Sequence, residues 1–307
     1  MKAIEVVGLR KMYGSLAAVD GLDLHVDTGE VVALLGPNGA GKTTAVEILE
    51  GYRRPDSGTV RVLGMDPQTG GRAYRERIGI VLQEAGFEET FTPRELIRLH
   101  AGYYPRPRPV DEVIRLTGLT EKADARVRTL SGGQRRRLDL ALGIVGNPEM
   151  IFLDEPTTGF DPSARRNAWE VVDGLRDLGA TILLTTHYLD EAEHLADSVV
   201  IIDHGRVVAS GTPAQLTARA GAGTVISFRL PSDVTTVDLP GVGTERRVAG
   251  NLVEVRTASP TADVATLAAW AVARGQELKD LTLTRPSLED VYLDLVDDAG
   301  AMEEAGP

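Results

Sequence analysis

The sequence predicts an α/β fold: helices packed on a parallel sheet, a helical subdomain inserted in it, and a small α/β domain at the C-terminal end. Three observations point there. Short apolar runs alternate with helical patterns over residues 4–83 and again from residue 150, as in parallel strands joined by crossover helices. Over residues 84 to about 130 the strand pattern gives way to helix-start signals. Near residue 220 the composition shifts to Ala-Gly-Ala-Gly, which reads as a linker.

Taken in order, Ile4–Leu9, Leu22–Val26, Val31–Leu35 and Thr59–Leu63 read as strands, separated by the turns Asp27-Thr28-Gly29 and Asp56-Ser57-Gly58. A helix runs from Lys42 to about Glu50 and stops at Gly51; the strand Ile78–Gln83 closes the first lobe. Thr92-Pro93-Arg94-Glu95 is a capping box with proline at the first helical position, and Val110–Leu116 is a further helix. Beyond residue 150 the strands are Ile151–Leu153, Thr181–Thr185, Ser198–Ile202 and Arg206–Ser210. The C-terminal part has strands at Thr224–Leu230, Leu252–Arg256 and Leu278–Thr284. One of its helices presents Val264, Leu267, Ala268 and Ala271 on a single face and ends at Gly275. Leu288, Val291, Tyr292 and Leu295 form a second stripe after Pro286-Ser287, and an acidic tail rich in Gly and Ala follows Val296. There are no internal repeats.

Composition excludes several classes of function. The 307 residues are 42% hydrophobic and 25% charged, an ordinary balance for a globular chain. With 33 basic against 45 acidic residues the formal charge is −12, which argues against nucleic acid as a partner. The absence of cysteine rules out disulfides, zinc thiolates and a cysteine nucleophile, so any metal must take oxygen or imidazole ligands. Met1-Lys2-Ala3-Ile4-Glu5 has no signal-peptide core, and the longest apolar runs fall far short of the ~20 residues a membrane helix needs. Acting at a membrane would therefore require a span supplied by another polypeptide.

Gly36-Pro37-Asn38-Gly39-Ala40-Gly41-Lys42-Thr43 satisfies G-x-x-x-x-G-K-[ST] in full, between a predicted strand and a helix. Glycines let backbone N–H groups turn inward around phosphate oxygens, and the helix N-terminus adds partial positive charge. Lys42 would reach the β- and γ-phosphates, Thr43 would ligate Mg²⁺, and Thr44 belongs to the same nucleotide-binding set. Ile151-Phe152-Leu153-Asp154-Glu155 is an apolar strand ending in two carboxylates. Alone such a pair is more often a solvated strand end. Beside a phosphate loop, Asp154 would hold Mg²⁺ and Glu155 would polarise the attacking water. In Leu130-Ser131-Gly132-Gly133-Gln134, Ser131 and Gln134 form a capping box for a helix running to about Val145. A capped helix start with free N–H groups is also a phosphate-binding surface.

Leu-Ser-Gly-Gly-Gln at this short distance before the Asp-Glu strand resembles the signature of ABC transporter ATP-binding subunits, and the resemblance covers about residues 1 to 215. It implies a P-loop nucleotide-binding domain over 1–218, with a mixed sheet core and a helical subdomain at about 84–145. Residues 219–307 would then be a small accessory or regulatory domain. It also implies that Gln83 senses Mg²⁺ and the γ-phosphate, that His187 contacts the γ-phosphate, and that Tyr13 stacks on adenine. Gly159-Phe160-Asp161 matches the D-loop, although Leu is more usual where Phe160 stands; Asp161 before Pro162 equally reads as a helix N-cap. In this family the signature of one subunit closes over ATP on the other, so Ser131 and Gly133 are expected to act in trans in a homodimer, with Gly132 and Gln134 in the same nucleotide-binding set.

Within the family the chain is similar to antibiotic and multidrug export ATPases of the daunorubicin-resistance group. The similarity lies in its length, in Arg135-Arg136-Arg137-Leu138 after the signature, and in Pro286-Ser287-Leu288-Glu289-Asp290-Val291-Tyr292-Leu293 near the end. That resemblance implies efflux of a hydrophobic compound through a separate multi-spanning permease, from a cytoplasmic position on the inner face of the membrane. The coupling surface would follow Gln83, where Phe87, Phe91, Leu96 and Ile97 suit either a groove or the subdomain's own core. Alternatives are a motor for lipid, ion or polysaccharide transport, or a non-transport ABC ATPase of translation or DNA repair. The latter usually carry paired cassettes or a coiled-coil insertion, and neither is present here. A module that only holds ATP is disfavoured by Glu155.

Overall fold

The computed structural model describes residues 1–81, 86–219, 224–230, 238–284, 287–289 and 291–292. The chain divides into two compact units, Met1–Pro213 and Ala214–Pro307.

The first unit contains two sheets. β1 (Lys2–Tyr13), β2 (Leu16–Asp27) and β4 (Ser57–Val62) make an antiparallel sheet in the order β2-β1-β4. The six-stranded sheet uses β3 (Val31–Leu35), β5 (Ile78–Val81), β6 (Met150–Asp154), β7 (Thr181–Thr186), β8 (Ser198–Asp203) and β9 (Arg206–Gly211), in the order β5-β6-β7-β3-β8-β9. Its first five strands are parallel, and β9 returns antiparallel at the edge. β3 and β7 are buried throughout, which is why β3 is an unbroken apolar run and β7 carries Ile182, Leu183 and Leu184 between its threonines. The β1–β2 hairpin extends well past the predicted strands, turning at Gly14 in the left-handed region. Its outer half mixes the polar Arg10 and Lys11 with exposed Met12, Tyr13 and Leu16, so it lacks the apolar signal of a buried strand.

α1 (Lys42–Leu49) places Ala45, Ile48 and Leu49 in one core with Ile4, Leu9 and Leu24 of the antiparallel sheet and Leu34 and Phe152 of the six-stranded one. Burying each such aliphatic side chain is worth about 1.5–3 kcal/mol. The phosphate loop is thereby anchored to both sheets through its own helix.

The helical subdomain follows the short α2 (Gly71–Arg75) and comprises α3 (Pro93–Ala101), α4 (Val110–Leu116) and α5 (Gly132–Ile144). α3 starts with the expected capping box, both bonds between Thr92 and Glu95 being formed. Leu96 and Ile97 are buried with Val113, Ile114 and Leu138, whereas Phe91 is exposed. The subdomain thus consumes two of the four apolar residues considered for a partner groove. α5 lies directly on β5, where a Cβ on Gly79 would come within 2.2 Å of the Gly143 carbonyl oxygen. α6 (Pro162–Asp177) and α7 (Leu189–Leu195) flank β7.

α8 (Pro213–Arg219) begins at the boundary between the units. In the second unit β10 (Thr224–Arg229), β11 (Glu245–Ala249), β12 (Leu252–Thr257) and β13 (Lys279–Thr284) form an antiparallel sheet in the order β11-β12-β10-β13. α9 (Pro260–Ala273) packs Leu267 onto Ile226, Phe228, Val253 and Val255, and Gly275 follows it with a positive φ. β11 has no sequence signal because, as an exposed edge strand, Glu-Arg-Arg-Val-Ala alternates nothing. Leu288 and Val291 are buried; Leu295 lies outside the described residues. No described helix is long and apolar enough to cross a membrane.

Glu50, at the C-terminal end of α1, is only 6% exposed. Burial pushes its carboxyl up to about 8, with the Asp154 and Glu47 carboxylates adding to the shift. Because the folded value is raised, the stabilising effect is whole below the usual value of 4.5 and is lost as pH rises through about 8. Glu50→Gln should therefore flatten the decline in stability across this window. At about pH 9 we expect its Tm to exceed the parent's by at least about 2 °C, with little difference near pH 5, as read by thermal denaturation.

Candidate functional site

Three parallel strands converge on the site: β3 feeds the phosphate loop, β6 ends in Asp154 and β7 ends at Thr186 before His187. β7 lies between the other two, and the carboxyl ends of such strands are where an α/β sheet presents ligand groups.

The loop from Gly36 to Gly41 admits no side chain at two of its glycines. A Cβ on Gly36 would lie 2.2 Å from the Ile202 carbonyl oxygen, and one on Gly41 would lie 2.0 Å from that of Ala18. Gly41 also has a φ of 97° as it enters α1. The N-cap of α1, Gly41, offers no side chain to the leading N–H groups of the helix. Lys42 folds back over the loop, and its Nζ donates to the carbonyls of Gly36 at 2.7 Å and Pro37 at 3.0 Å. Burial draws this ammonium below the usual lysine value, while the carboxylates of Glu155 and Asp154 pull the other way. Lysine and carboxylates thus belong to one electrostatic cluster. Thr43 is exposed at the mouth of the loop, and Thr44 is half-buried.

The end of β6 is fixed by Thr185 on β7. Its hydroxyl donates to Asp154 Oδ1 at 2.5 Å. The Glu155 N–H donates back to the Thr185 hydroxyl at 3.0 Å and carbonyl at 3.1 Å. Glu155 itself lies in the left-handed region, with φ of 46°, a conformation that costs a non-glycine residue about 1 kcal/mol or more. Its carboxylate accepts from Thr158 Oγ1 at 3.0 Å, and His187 Nδ1 lies 3.2 Å from the other oxygen. The His187 ring packs against Tyr188 with centroids 4.1 Å apart. The structure therefore brings Lys42, Asp154, Glu155 and His187 together from separate motifs.

Ser131 and Gln134 form both bonds of the predicted capping box, at 3.3 and 3.0 Å. With Gly132, Gly133 and Thr158 they line a broad open cavity that also takes in Gly159, Phe160 and Asp161. No described residue of the loop from Gly36 to Thr44 lines it, so one chain carries two separate clusters. Asp161 caps α6, accepting from the N–H groups of Ser163 at 2.9 Å and Ala164 at 3.0 Å. Those N–H groups hold its carboxyl below the usual range. Tyr13 is half-exposed at the end of β1, between Lys11 and Arg53, whose cationic groups lie 5.8 and 5.4 Å from its ring. Gln83 lies outside the described residues.

Three residues of the site carry no motif. Thr185 and Thr158 are visible in sequence only as polar residues beside apolar or carboxylate positions. Arg136 is one of three consecutive arginines, and nothing there distinguishes it from its neighbours. In the fold it alone turns inward, donating to the carbonyls of Asp154 at 3.0 Å, Glu155 at 3.3 Å and Pro156 at 3.0 Å.

Residues 19–158 match the family model for the ABC transporter domain, and residues 224–287 match one for the C-terminal domain of ABC transporter domain-containing protein-like chains. The daunorubicin/doxorubicin resistance ATP-binding protein DrrA of Streptomyces peucetius is 40% identical over 306 residues, covering 96% of this chain and 92% of that one. The Nod factor export ATP-binding protein I of Paraburkholderia xenovorans (strain LB400) is 42% identical over 241 residues, 77% of this chain and 79% of that one. Among solved structures, an ATP-binding subunit of an ABC transporter superposes with a TM-score of 0.65 at 30% identity, covering 71% of this chain and 93% of that one.

Replacing Thr185 with Val keeps the shape of the side chain and removes the hydroxyl that joins Asp154 to the Glu155 N–H. We expect a stability loss of about 1–3 kcal/mol in denaturant unfolding and a fall in ATP turnover of at least about tenfold. Thr185→Ser should retain most of both.

Proposed function

The chain belongs to the ABC transporter family as an ATP-binding, ATP-hydrolysing subunit, and from that premise we propose that it powers export of a hydrophobic, drug-like compound through a separate multi-spanning permease. The observation that carries the motor assignment is the grouping of buried Lys42, just after the loop that follows β3, with Asp154 and Glu155 at the end of β6. The cargo reading is supported by the near full-length match to a protein named for daunorubicin and doxorubicin resistance. The Nod factor export relative supports export in general while naming a different cargo.

In this reading Lys42 and the N–H groups from Gly36 to Thr44 hold the β- and γ-phosphates, and Tyr13 stacks on the adenine. Glu155 polarises the attacking water; its carboxylate is held between Thr158 and His187, and His187 contacts the γ-phosphate. The oxygen donors Thr43 and Asp154, with Gln83 from the adjoining segment, suit Mg²⁺, which is commonly held by one or two carboxylates together with phosphate oxygens and waters. When bound, the ion neutralises charge on the phosphates. Since Lys42 and Ser131 fall in separate clusters of one chain, a two-fold homodimer would complete each site with the partner's Ser131, Gly132, Gly133 and Gln134. Asp161 lines that same signature surface. The permease would dock in the groove bordered by Tyr52, Phe87, His100 and Tyr104. This places the subunit on the inner face of the membrane, without nucleic acid as a partner.

Glu155→Gln should lower ATP turnover by about 100-fold or more while preserving nucleotide binding, and should shift the chain to a dimer on size-exclusion chromatography with ATP. Undiminished turnover would contradict the role of Glu155. Lys42→Ala should lose affinity for a fluorescent ATP analogue; unchanged affinity would refute the phosphate-loop assignment. Purification from the native cell should bring down a multi-spanning membrane protein, whereas ribosomes or DNA in its place would overturn the transport reading.

A further inference from the structure

Arg136 is poorly placed for a residue serving only stability. It lies in the second turn of α5, near the positive end of the helix dipole, where a cation is disfavoured. Its side chain is 13% exposed, and burying a guanidinium costs several kcal/mol unless its donors are satisfied. Burial draws it below the usual arginine value, with Asp139 and Asp154 the main opposing charges. Two of its nitrogens hold one turn. Nε and Nη2 bond the three successive carbonyls of Asp154, Glu155 and Pro156, at 3.0, 3.3 and 3.0 Å, and Nη1 bonds Asp139 at 2.8 Å. Arg135 and Arg137 instead face outward, toward Glu89 and Gly118.

The clamped turn is the one from which Asp154 and Glu155 project, and Glu155 occupies its strained left-handed conformation there. Thr185 grips the turn from β7 through the Asp154 carboxylate and the Glu155 N–H, and Arg136 grips it from α5 through the carbonyls. The helix bearing Arg136 begins at Ser131, five residues earlier and within the same rigid element. We propose that Arg136 is a positioning residue that couples the signature end of α5 to the catalytic turn of its own chain, so that engagement of one ATP site sets the posture of Glu155 in the other. This rests on the proposed dimer, in which Ser131 serves the partner's nucleotide while Glu155 serves the chain's own. A displacement of α5 on closure is transmitted by a planar fork that holds three peptide oxygens, a task for which lysine's single ammonium is a poor substitute.

The test is steady-state ATP hydrolysis by the full-length chain as a function of ATP, for the parent, Arg136→Gln and Arg136→Lys. Arg136→Gln should lower kcat by at least about tenfold with KM for ATP changed by less than about twofold, and its Hill coefficient should drop to unity from a higher parental value. Arg136→Lys should fall between the two. Binding of a fluorescent ATP analogue should be unchanged in both variants. A parental kcat and Hill coefficient in Arg136→Gln would overturn the proposal, as would a kcat loss matched by an equal loss of folded protein. If Arg136→Gln does not fold, Arg136→Lys decides alone, and parental kcat and cooperativity in it would overturn the proposal. If Glu155→Gln forms no ATP-dependent dimer, the composite-site reading fails and the coupling with it, while the kcat split still decides whether Arg136 positions the turn.

Discussion

On the proposed reading, the site depends on keeping one lysine ammonium buried where a phosphate would lie. Lys42 is 6% exposed, and its hydrogen bonds run to carbonyls of its own loop. Carbonyl dipoles alone compensate a buried charge poorly, so its position is tolerable because Asp154 and Glu155 stand close enough to pull its basicity back up. Much of the surrounding construction follows from that cluster. The loop must wind tightly enough to bring Gly36 and Pro37 carbonyls onto Nζ, which excludes a Cβ at Gly36 and Gly41. The carboxylates must stay on their strand end, which Thr185 and Arg136 secure from opposite sides. A nucleotide phosphate entering this setting meets a cation already desolvated and oriented, so little reorganisation remains at the moment of reaction.

What the sequence made legible was whatever chemistry is local. The phosphate loop spans eight consecutive residues whose backbone demands are met by glycine, so residue type alone reports it. The two capping boxes, at Thr92 and Ser131, are likewise reciprocal bonds across three positions, and both form as expected. Asp154 and Glu155 stood out as candidates because they end an apolar strand. Thr185 and Arg136 escaped notice for a different reason. Their partners lie 30 and 18 or more residues away, and only the strand order and the packing of α5 bring them together. The outer half of the β1–β2 hairpin and the edge strand β11 went unseen because strands facing water need no apolar alternation.

The two units differ in what they offer chemically. In the first, polar side chains are concentrated at one end of a buried parallel sheet, where each is tied to a second element. In the second, a four-stranded sheet covers its inner face with α9 and turns Ser227, Arg229, Glu254 and Arg256 outward. No group of three or more His, Cys, Asp or Glu suited to a metal occurs among the described residues of either unit. The residues grouped at the candidate site all lie in the first unit.

The central claim is that each working site combines the phosphate loop of one chain with the signature of another. It is tested most directly by mixing two inactive chains, one carrying Lys42→Ala and the other Ser131→Arg, and measuring ATP hydrolysis. If sites are shared between chains, a mixed dimer contains one site built from an intact loop and an intact signature, so activity absent from either variant alone returns on mixing. If each chain completes its own site, every site in the mixture carries a defect and the mixture stays as inactive as its parts.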